Sequence, residues 1–114
     1  MSSCYEVQIQ VAVPNDKRDQ WEALVDQFRQ AGIQFDDAYL TDAGEIMIDG
    51  SPGNYKYDMD DTRIQELVRD LTWNCFGEYT WISVDVRFLD HIPHDYVEWQ
   101  ESDYEDWKER EDDD

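Results

Sequence analysis

Lysine and arginine are scarce in this chain. Nine of them face 29 aspartates and glutamates among 114 residues, which gives a formal net charge of −20 at pH 7. Such a chain repels phosphate groups, so we expect it to bind neither nucleic acid nor an anionic membrane directly. The negative electrostatic potential around such a chain raises the local concentration of cationic partners and speeds their encounter. The shortage of basic residues therefore indicates a basic protein surface as the partner.

Long apolar runs and nucleotide-binding motifs are also absent. No run approaches the roughly 18 apolar residues of a membrane helix, and Met1 to Glu6 contain no basic segment followed by an apolar one. We expect a cytoplasmic protein, in the host cytoplasm if phage-encoded, with Cys4 and Cys75 as reduced thiols. Without a glycine-rich nucleotide loop or a nucleophile elbow, we predict no enzyme activity, no catalytic residue and no cofactor.

Histidine occurs only as His91 and His94. With Asp90 and Asp95 they place four potential metal ligands within six residues. However, Pro93 breaks helical spacing there, and no cysteine or further histidine lies nearby in the sequence. A polar loop after the last strand is the better interpretation, so we predict no metal site.

Apolar residues are plentiful and regularly spaced. The hydrophobic fraction of 40% and the sixteen aromatic residues are too high for a disordered acidic chain. Alternation predicts strands over 5–13, 33–40, 45–49 and 79–89, the middle two joined by a turn at Thr41 to Gly44. Helices are predicted from Asn15 or Asp16 to Gly32 and from residues 60–62 to Gly77. Their apolar stripes are Trp21, Leu24, Val25 and Phe28, and Ile64, Leu67, Val68 and Leu71.

The predicted order is β-α-β-β-α-β followed by a tail. It indicates a ferredoxin-like α+β sandwich over residues 1–94, with a four-stranded antiparallel sheet and both helices on one face. The other face would then be open, and it lacks the basic surface that RNA-binding versions of this topology use. The residues expected on this open face are Glu6, Gln8, Gln10, Tyr79, Trp81, Asp85 and Arg87.

Residues 95–114 form an acidic, aromatic-bearing C-terminal tail, which we expect to be partly helical or disordered. Eleven acids face only Lys108 and Arg110 there, so the tail carries −9. A fully helical tail would span about 30 Å and place a carboxylate about every 2.7 Å, whereas duplex DNA carries one charge per about 1.7 Å of axis. The tail can therefore imitate phosphates only if it is compact or if acids from the domain body join it. We expect removal of Ser102 to Asp114 to leave folding nearly intact.

These features favour a small interaction protein that inhibits a basic, nucleic-acid-binding protein, such as a nuclease, by presenting phosphate-like carboxylates. In size, charge and acidic C-terminus the chain resembles phage anti-restriction and anti-CRISPR DNA mimics, a resemblance of composition without a diagnostic motif. The aromatic residues of the tail would supply desolvated anchors for the interface. The predicted partner-binding residues are Glu98, Trp99, Glu101, Asp103, Tyr104, Glu105, Asp106 and Trp107 in the tail, and Asp36, Asp37, Asp42 and Glu45 around the hairpin.

Two other functions fit the same composition. One is an immunity protein that neutralises a single basic toxin nuclease. The other is an ordinary domain adapted to high salt, for which dense carboxylates preserve solubility and low salt causes unfolding through self-repulsion. The sequence leaves the oligomeric state open, with a dimer as one possibility.

Overall fold

The computed structural model describes residues 5–33, 35–50, 61–88 and 95–112. In this part of the chain a five-stranded antiparallel sheet, ordered β2-β3-β1-β4-β5, packs against three α-helices. The strands are β1 (Tyr5–Ala12), β2 (Asp37–Leu40), β3 (Glu45–Asp49), β4 (Ile82–Phe88) and β5 (Asp95–Trp99). The helices are α1 (Trp21–Gln30), α2 (Asp61–Phe76) and α3 (Glu101–Asp112), and a 3₁₀ helix, Asn15–Gln20, precedes α1.

The predicted α+β class is confirmed, but four strands and two helices are too few. Elements β1 to β4 and helices α1 and α2 follow the predicted β-α-β-β-α-β order. The difference arises in the predicted tail, where Asp95–Trp99 pairs with β4 as a fifth strand and Glu101–Asp112 forms a third helix. The second strand is also shorter than predicted. Ile33 and Phe35 are buried in the core, but they precede the strand, which begins at Asp37.

Alternation along the strands gives the sheet two unlike faces. On the central strand β1, Val7, Ile9 and Val11 are fully buried, and their register partners on β3 and β4 are valines and isoleucines of the same core. We call this the covered face. The intervening residues point the other way, because successive strand side chains alternate between the faces. We call that side the open face.

The helices bury their apolar stripes on the covered face. Leu24, Val25 and Phe28 of α1 and Ile64 and Val68 of α2 are buried in the same core as the strand residues. Each side chain buried in this way contributes about 1.5–3 kcal/mol. The predicted stripes are therefore confirmed as the packing faces of α1 and α2. The longest described helix, α2, has 16 residues, and none of the described helices has the length and apolar character to cross a bilayer.

The turn between β2 and β3 lies where the sequence predicts it. The Thr41 and Glu45 backbones are joined by a hydrogen bond of 2.8 Å, and the Gly44 N–H donates to the Thr41 carbonyl. Gly44 has a φ of +86°, a left-handed conformation that favours glycine. The hairpin brings Asp37 and Asp49 into register as cross-strand partners.

One residue predicted for the open face lies elsewhere. Tyr79 precedes β4, which begins at Ile82, so the strand alternation does not extend back to it. Its ring lies 6.1 Å from that of Trp73, a residue of α2 that is only 1% exposed. The prediction was wrong because it started the last strand three residues too early.

Candidate functional site

An aromatic cluster holds helix α3 to the rest of the protein. Trp73 is its centre: its ring centroid lies 5.1 Å from Tyr104, 5.4 Å from Trp107 and 6.4 Å from Trp99. These three pairs meet edge to face, the geometry that aromatic rings prefer, and each adds about 0.5–1.5 kcal/mol beyond the burial of its surface. The cluster, completed by Tyr79, thus joins α2, β5 and α3.

Polar contacts at the rim of the cluster connect the same elements. The Trp107 indole Nε1 donates to Asp70 Oδ1 at 2.8 Å, and Arg69 Nη2 lies 2.9 Å from the same oxygen. The Arg69 guanidinium also lies 4.9 Å from the ring centroid of Trp99, within cation–π range. Hydrogen bonds to charged groups contribute about 1.5–3 kcal/mol. Arg69 and Asp70 of α2 therefore fix both β5 and α3.

The first turn of α3 is capped by one of the predicted site residues. Asp103, at the third helical position, reaches back so that its Oδ2 accepts the Gln100 backbone N–H at 2.8 Å. This is the acidic half of a capping box, and the negative charge also suits the positive end of the helix dipole. Asp103 thus stabilises the helix start, while its neighbours Glu101 and Glu105 are exposed.

With its rings turned inward, α3 presents carboxylates outward. Glu101, Glu105 and Glu109 are exposed and follow one another at i, i+4 spacing, which places them in one row. Within this row the carboxylates are about 6 Å apart along the axis. Counted around the whole helix, seven of its 12 residues are acidic, which gives a carboxylate about every 2.6 Å over about 18 Å. That falls between the spacing of duplex DNA, about 1.7 Å of axis per charge, and that of one strand, about 3.4 Å. We call the exposed row of Glu101, Glu105 and Glu109 the helical acidic surface.

The other predicted site residues are distributed over different parts of the molecule. Asp37, Glu45 and Glu98 lie on the open face, because their alternating neighbours belong to the core. Asp42 is exposed in the β2–β3 turn, and Asp36 lies just before β2, where its N–H donates to the Asp49 carbonyl. The structure therefore does not bring the predicted acids together: those of α3 lie in the helix layer, and those of the hairpin and β5 lie on or beside the open face.

Among the aromatic residues of the predicted tail, the structure turns three inward and one outward. Trp99, Tyr104 and Trp107 pack in the aromatic cluster, where they hold β5 and α3 in place. Tyr96, on the opposite face of β5, is 51% exposed. The predicted role of the first three as anchors for a partner stays a prediction, but their contacts within the chain are now defined.

A small hydrogen-bond network orders the exposed end of β5. The Tyr96 hydroxyl donates to Glu98 Oε1 at 2.6 Å, and Gln100 Nε2 donates to Glu98 Oε2 at 2.9 Å. The hydrogen bond to Glu98 raises the pKa of Tyr96 above its ordinary value, with smaller contributions from burial and from the charges of Glu98 and Asp85. Tyr96 therefore stays neutral and continues to donate at neutral pH.

Tyr39 and Met47 of the open face are not among the sequence-predicted site residues. Tyr39 of β2 is 45% exposed, and Met47 of β3 lies opposite it in register. The signal for both was present in the sequence, because each alternates with a core residue of its strand. Their charge-free side chains were overlooked because the site was sought among acids and tail aromatics.

The described residues offer little else for chemistry. Burial raises the pKa of the Cys75 thiol, which is thus protonated at neutral pH. Among the described side chains, no group of three or more His, Cys, Asp or Glu is arranged to hold a metal ion. Cys4, His91 and His94 lie outside the described residues, so the statements about them stay predictions.

Comparisons with known proteins add no relative to this picture. No protein-family model, no curated protein and no solved structure matches the chain. The site must therefore be interpreted from its own geometry and charge.

Proposed function

We propose that this chain is an acidic interaction protein that binds a basic, nucleic-acid-binding protein and inhibits it by presenting carboxylates in place of phosphates. The observation that carries the proposal is the helical acidic surface. Its exposed row of Glu101, Glu105 and Glu109 is fixed by the aromatic cluster on the opposite side of α3. Counted over all seven acids of α3, one carboxylate per about 2.6 Å of axis falls within the range of nucleic acid phosphates, whereas the exposed row alone is spaced at about 6 Å.

The physical basis is the exchange of one anion for another. Arginine and lysine side chains that bind phosphate also form charge-assisted hydrogen bonds with carboxylates, and arginine does so in bidentate geometry. A net charge of −20 attracts such a surface over a distance and speeds the encounter. Because α3 is already docked through its rings, less conformational freedom is lost on binding than with an unfolded tail.

Affinity capture with elution by DNA tests this function. The full-length protein is immobilised, exposed to lysate of its source cell at about 0.15 M salt, and eluted with duplex DNA or with an uncharged polymer. We expect DNA alone to release a basic, nucleic-acid-binding protein. The released protein should then lose its affinity for labelled DNA, measured by fluorescence anisotropy, when the acidic protein is added.

Charge-matched variants show whether the helical surface is responsible. The triple variant Glu101→Gln, Glu105→Gln, Glu109→Gln should inhibit at least about tenfold less well, a loss of about 1.4 kcal/mol. The control Asp16→Asn, Asp19→Asn, Glu22→Gln has the same net charge but changes exposed residues of the 3₁₀ helix and α1. Capture of nothing basic, release without DNA, or equal losses in the two variants would overturn the proposal.

Salt dependence separates this function from adaptation to a saline cell. A salt-adapted domain unfolds as salt is lowered, because its carboxylates repel one another. We expect the circular dichroism of this protein to remain that of the folded state at low salt, since the covered face holds the core and the aromatic cluster holds α3. Loss of the helical signal at low salt would instead favour salt adaptation.

A further inference from the structure

The open face is the side of the sheet that no described element covers. All three α-helices pack on the covered face, α3 through the contacts of Tyr104 and Trp107 with Trp73 of α2. In register, two rows of side chains therefore cross the open face from β2 to β5. One is Tyr39–Met47–Gln10–Ser83–Glu98, and the other is Asp37–Asp49–Gln8–Asp85–Tyr96.

Several charges on this face destabilise the fold. Asp37 and Asp49 are direct cross-strand partners and both are exposed. Like charges opposite each other in a sheet are destabilising, by an amount comparable to the 0.2–1 kcal/mol or so of a favourable pair. Glu45 adds a further carboxylate on the same strand as Asp49. The basic residue that strand register places on this face is Arg87 of β4, which lies opposite Glu6 of β1 and two strands away from Asp49.

Aromatic rings stand at the two outer strands of the same face. Tyr39 is 45% and Tyr96 51% exposed, and among the described residues they are the large hydrophobic side chains with the greatest exposure. Four strand spacings of about 4.8 Å separate their strands, a width of about 19 Å. Exposed tyrosine is typical of the recognition patches of protein interfaces.

Carboxylates and tyrosine rings together suit one kind of ligand. Lysine and arginine side chains form charge-assisted hydrogen bonds with the carboxylates and cation–π contacts with the rings. A nucleic acid strand would stack on the rings, but its phosphates would be repelled by Asp37, Asp49 and Glu45. A second copy of this chain would place the same carboxylates against each other.

We propose that the open face is a second docking surface, which binds an extended, lysine- and arginine-rich segment of a protein. The segment lies across the strands, with its cations on the carboxylates of β2 and β3 and its apolar stems on Tyr39 and Met47. This surface is separate from the helical acidic surface, because the two belong to opposite layers of the molecule. One molecule thus binds two basic segments at once, and simultaneous engagement strengthens the complex by avidity.

A defined probe and three charge-matched variants test this inference. The probe is a synthetic decapeptide of alternating lysine and arginine, titrated into isotope-labelled full-length protein and followed by NMR shifts and calorimetry at about 0.15 M salt. The open-face variant is Asp37→Asn, Glu45→Gln, Asp49→Asn. The helical variant is Glu101→Gln, Glu105→Gln, Glu109→Gln, and the control is Asp16→Asn, Asp19→Asn, Glu22→Gln.

We expect two peptides per protein and two separate groups of shifted amides, one in β2 and β3 and one in α3. The open-face variant should abolish the first group, with at least about tenfold weaker binding there, and leave the second unchanged. One peptide bound at α3 alone would overturn the open-face inference and leave the proposed function standing. Shifts at β2 and β3 without any at α3 would contradict the proposed function instead.

A substitution that changes no charge distinguishes specific binding at the open face from general binding of a polycation. Tyr39→Thr keeps a residue that favours strands and changes no charge, so it should weaken the open-face site about threefold or more through the loss of ring contacts alone. Unchanged binding in Tyr39→Thr, or equal losses in all three charge variants, would overturn the inference. Sedimentation of the free protein provides a further check, since a dimer that Tyr39→Thr dissociates would show that a second copy covers this face.

Discussion

The covered and the open face of the sheet are made by alternate residues of the same strands, yet they contribute differently to stability. Val7, Ile9 and Val11 of β1 are fully buried, whereas Gln8 between them is exposed. The covered face holds the apolar core and the aromatic cluster, and the open face holds opposed carboxylates. Stability is concentrated on one face, and the other carries charge at some loss of stability.

This comparison teaches where a highly acidic chain can place its charge and still fold. Helix α3 repeats the division on its own surface, with Tyr104 and Trp107 inward and Glu101, Glu105 and Glu109 outward. In both cases a narrow apolar stripe secures a segment whose remaining positions are acidic. Substitutions on the two sides should accordingly change stability in opposite directions.

The largest effect is expected at the centre of the aromatic cluster. Trp73→Ala removes a side chain that is 1% exposed and whose Nε1 donates to the Thr80 carbonyl at 3.0 Å. The free energy of unfolding, measured in urea, should fall by about 3–5 kcal/mol. Tyr96→Ala on the open face is the control and should change it by less than about 1 kcal/mol. Similar losses in both variants would remove the distinction between the faces.

Removal of α3 should also destabilise the protein, although the sequence predicted almost no effect. Deleting Ser102 to Asp114 removes Tyr104 and Trp107 from Trp73. We expect a loss of about 2–3 kcal/mol, because the rings contribute more than the repulsion between acids at i, i+4 costs. The urea midpoint measures this. The triple Glu→Gln variant of α3, which keeps the rings, should lose nothing, and an equally stable truncated protein would contradict the role of the cluster.

A smaller loss is expected for Tyr79→Phe at the rim of the covered face. The Tyr79 hydroxyl donates to the Trp99 carbonyl at 3.2 Å, a contact worth about 0.5–1.5 kcal/mol. Burial, followed by the charges of Glu101, Asp103 and Glu98, raises the pKa of Tyr79. Its contribution is therefore complete below the ordinary tyrosine pKa of about 10 and is lost as the pH rises through the higher pKa of the folded state.

Unfolding free energies measured between about pH 9 and 11 test that direction. The wild type should lose stability over this range, and Tyr79→Phe should lose less, with the remaining slope arising from groups such as Tyr96. A slope that is equally steep in Tyr79→Phe would show that Tyr79 does not contribute to the alkaline loss.

The smallest effect, and the one of opposite sign, is expected on the open face. Asp37→Asn relieves the repulsion from its register partner Asp49, so the free energy of unfolding should rise by about 0.2–1 kcal/mol at low salt. The gain should shrink in about 1 M salt, where charges are screened beyond about 3 Å. Asp19→Asn in the 3₁₀ helix is the control. If Asp37→Asn destabilised the protein, the open face could not be described as a site of strain.

Local patterns predicted the parts of the fold that local residues determine. The alternation of β1 and the stripes Leu24–Val25–Phe28 and Ile64–Val68 marked core positions that the structure buries. The β2–β3 turn was also found, since Gly44 provides its left-handed conformation. The candidate site was predicted only in part: the acids of α3 were identified, but not their separation from those on the open face.

Strand β5 and the anchoring of α3 depend on partners that are distant in sequence. Residues 95–99 do not alternate strictly between polar and apolar side chains, because Tyr96 and Val97 are adjacent, and their strand is defined only by pairing with β4. Helix α3 has unfavourable charge pairs along its own surface, and docking against Trp73 overrides them. Trp73 lies outside the predicted stripe of α2 that ends at Leu71, so nothing local connected it with the tail.

The aromatic cluster also makes the protein an optical reporter of its own state. Three of the protein's five tryptophans belong to the cluster. Trp73 is its centre, and the ring centroids of Trp99 and Trp107 lie within 6.4 Å of the Trp73 ring. Fixed aromatic packing produces near-ultraviolet circular dichroism, which disappears when tertiary packing is lost. Undocking of α3 should therefore be visible without a label, whereas occupation of the open face should leave the same band unchanged.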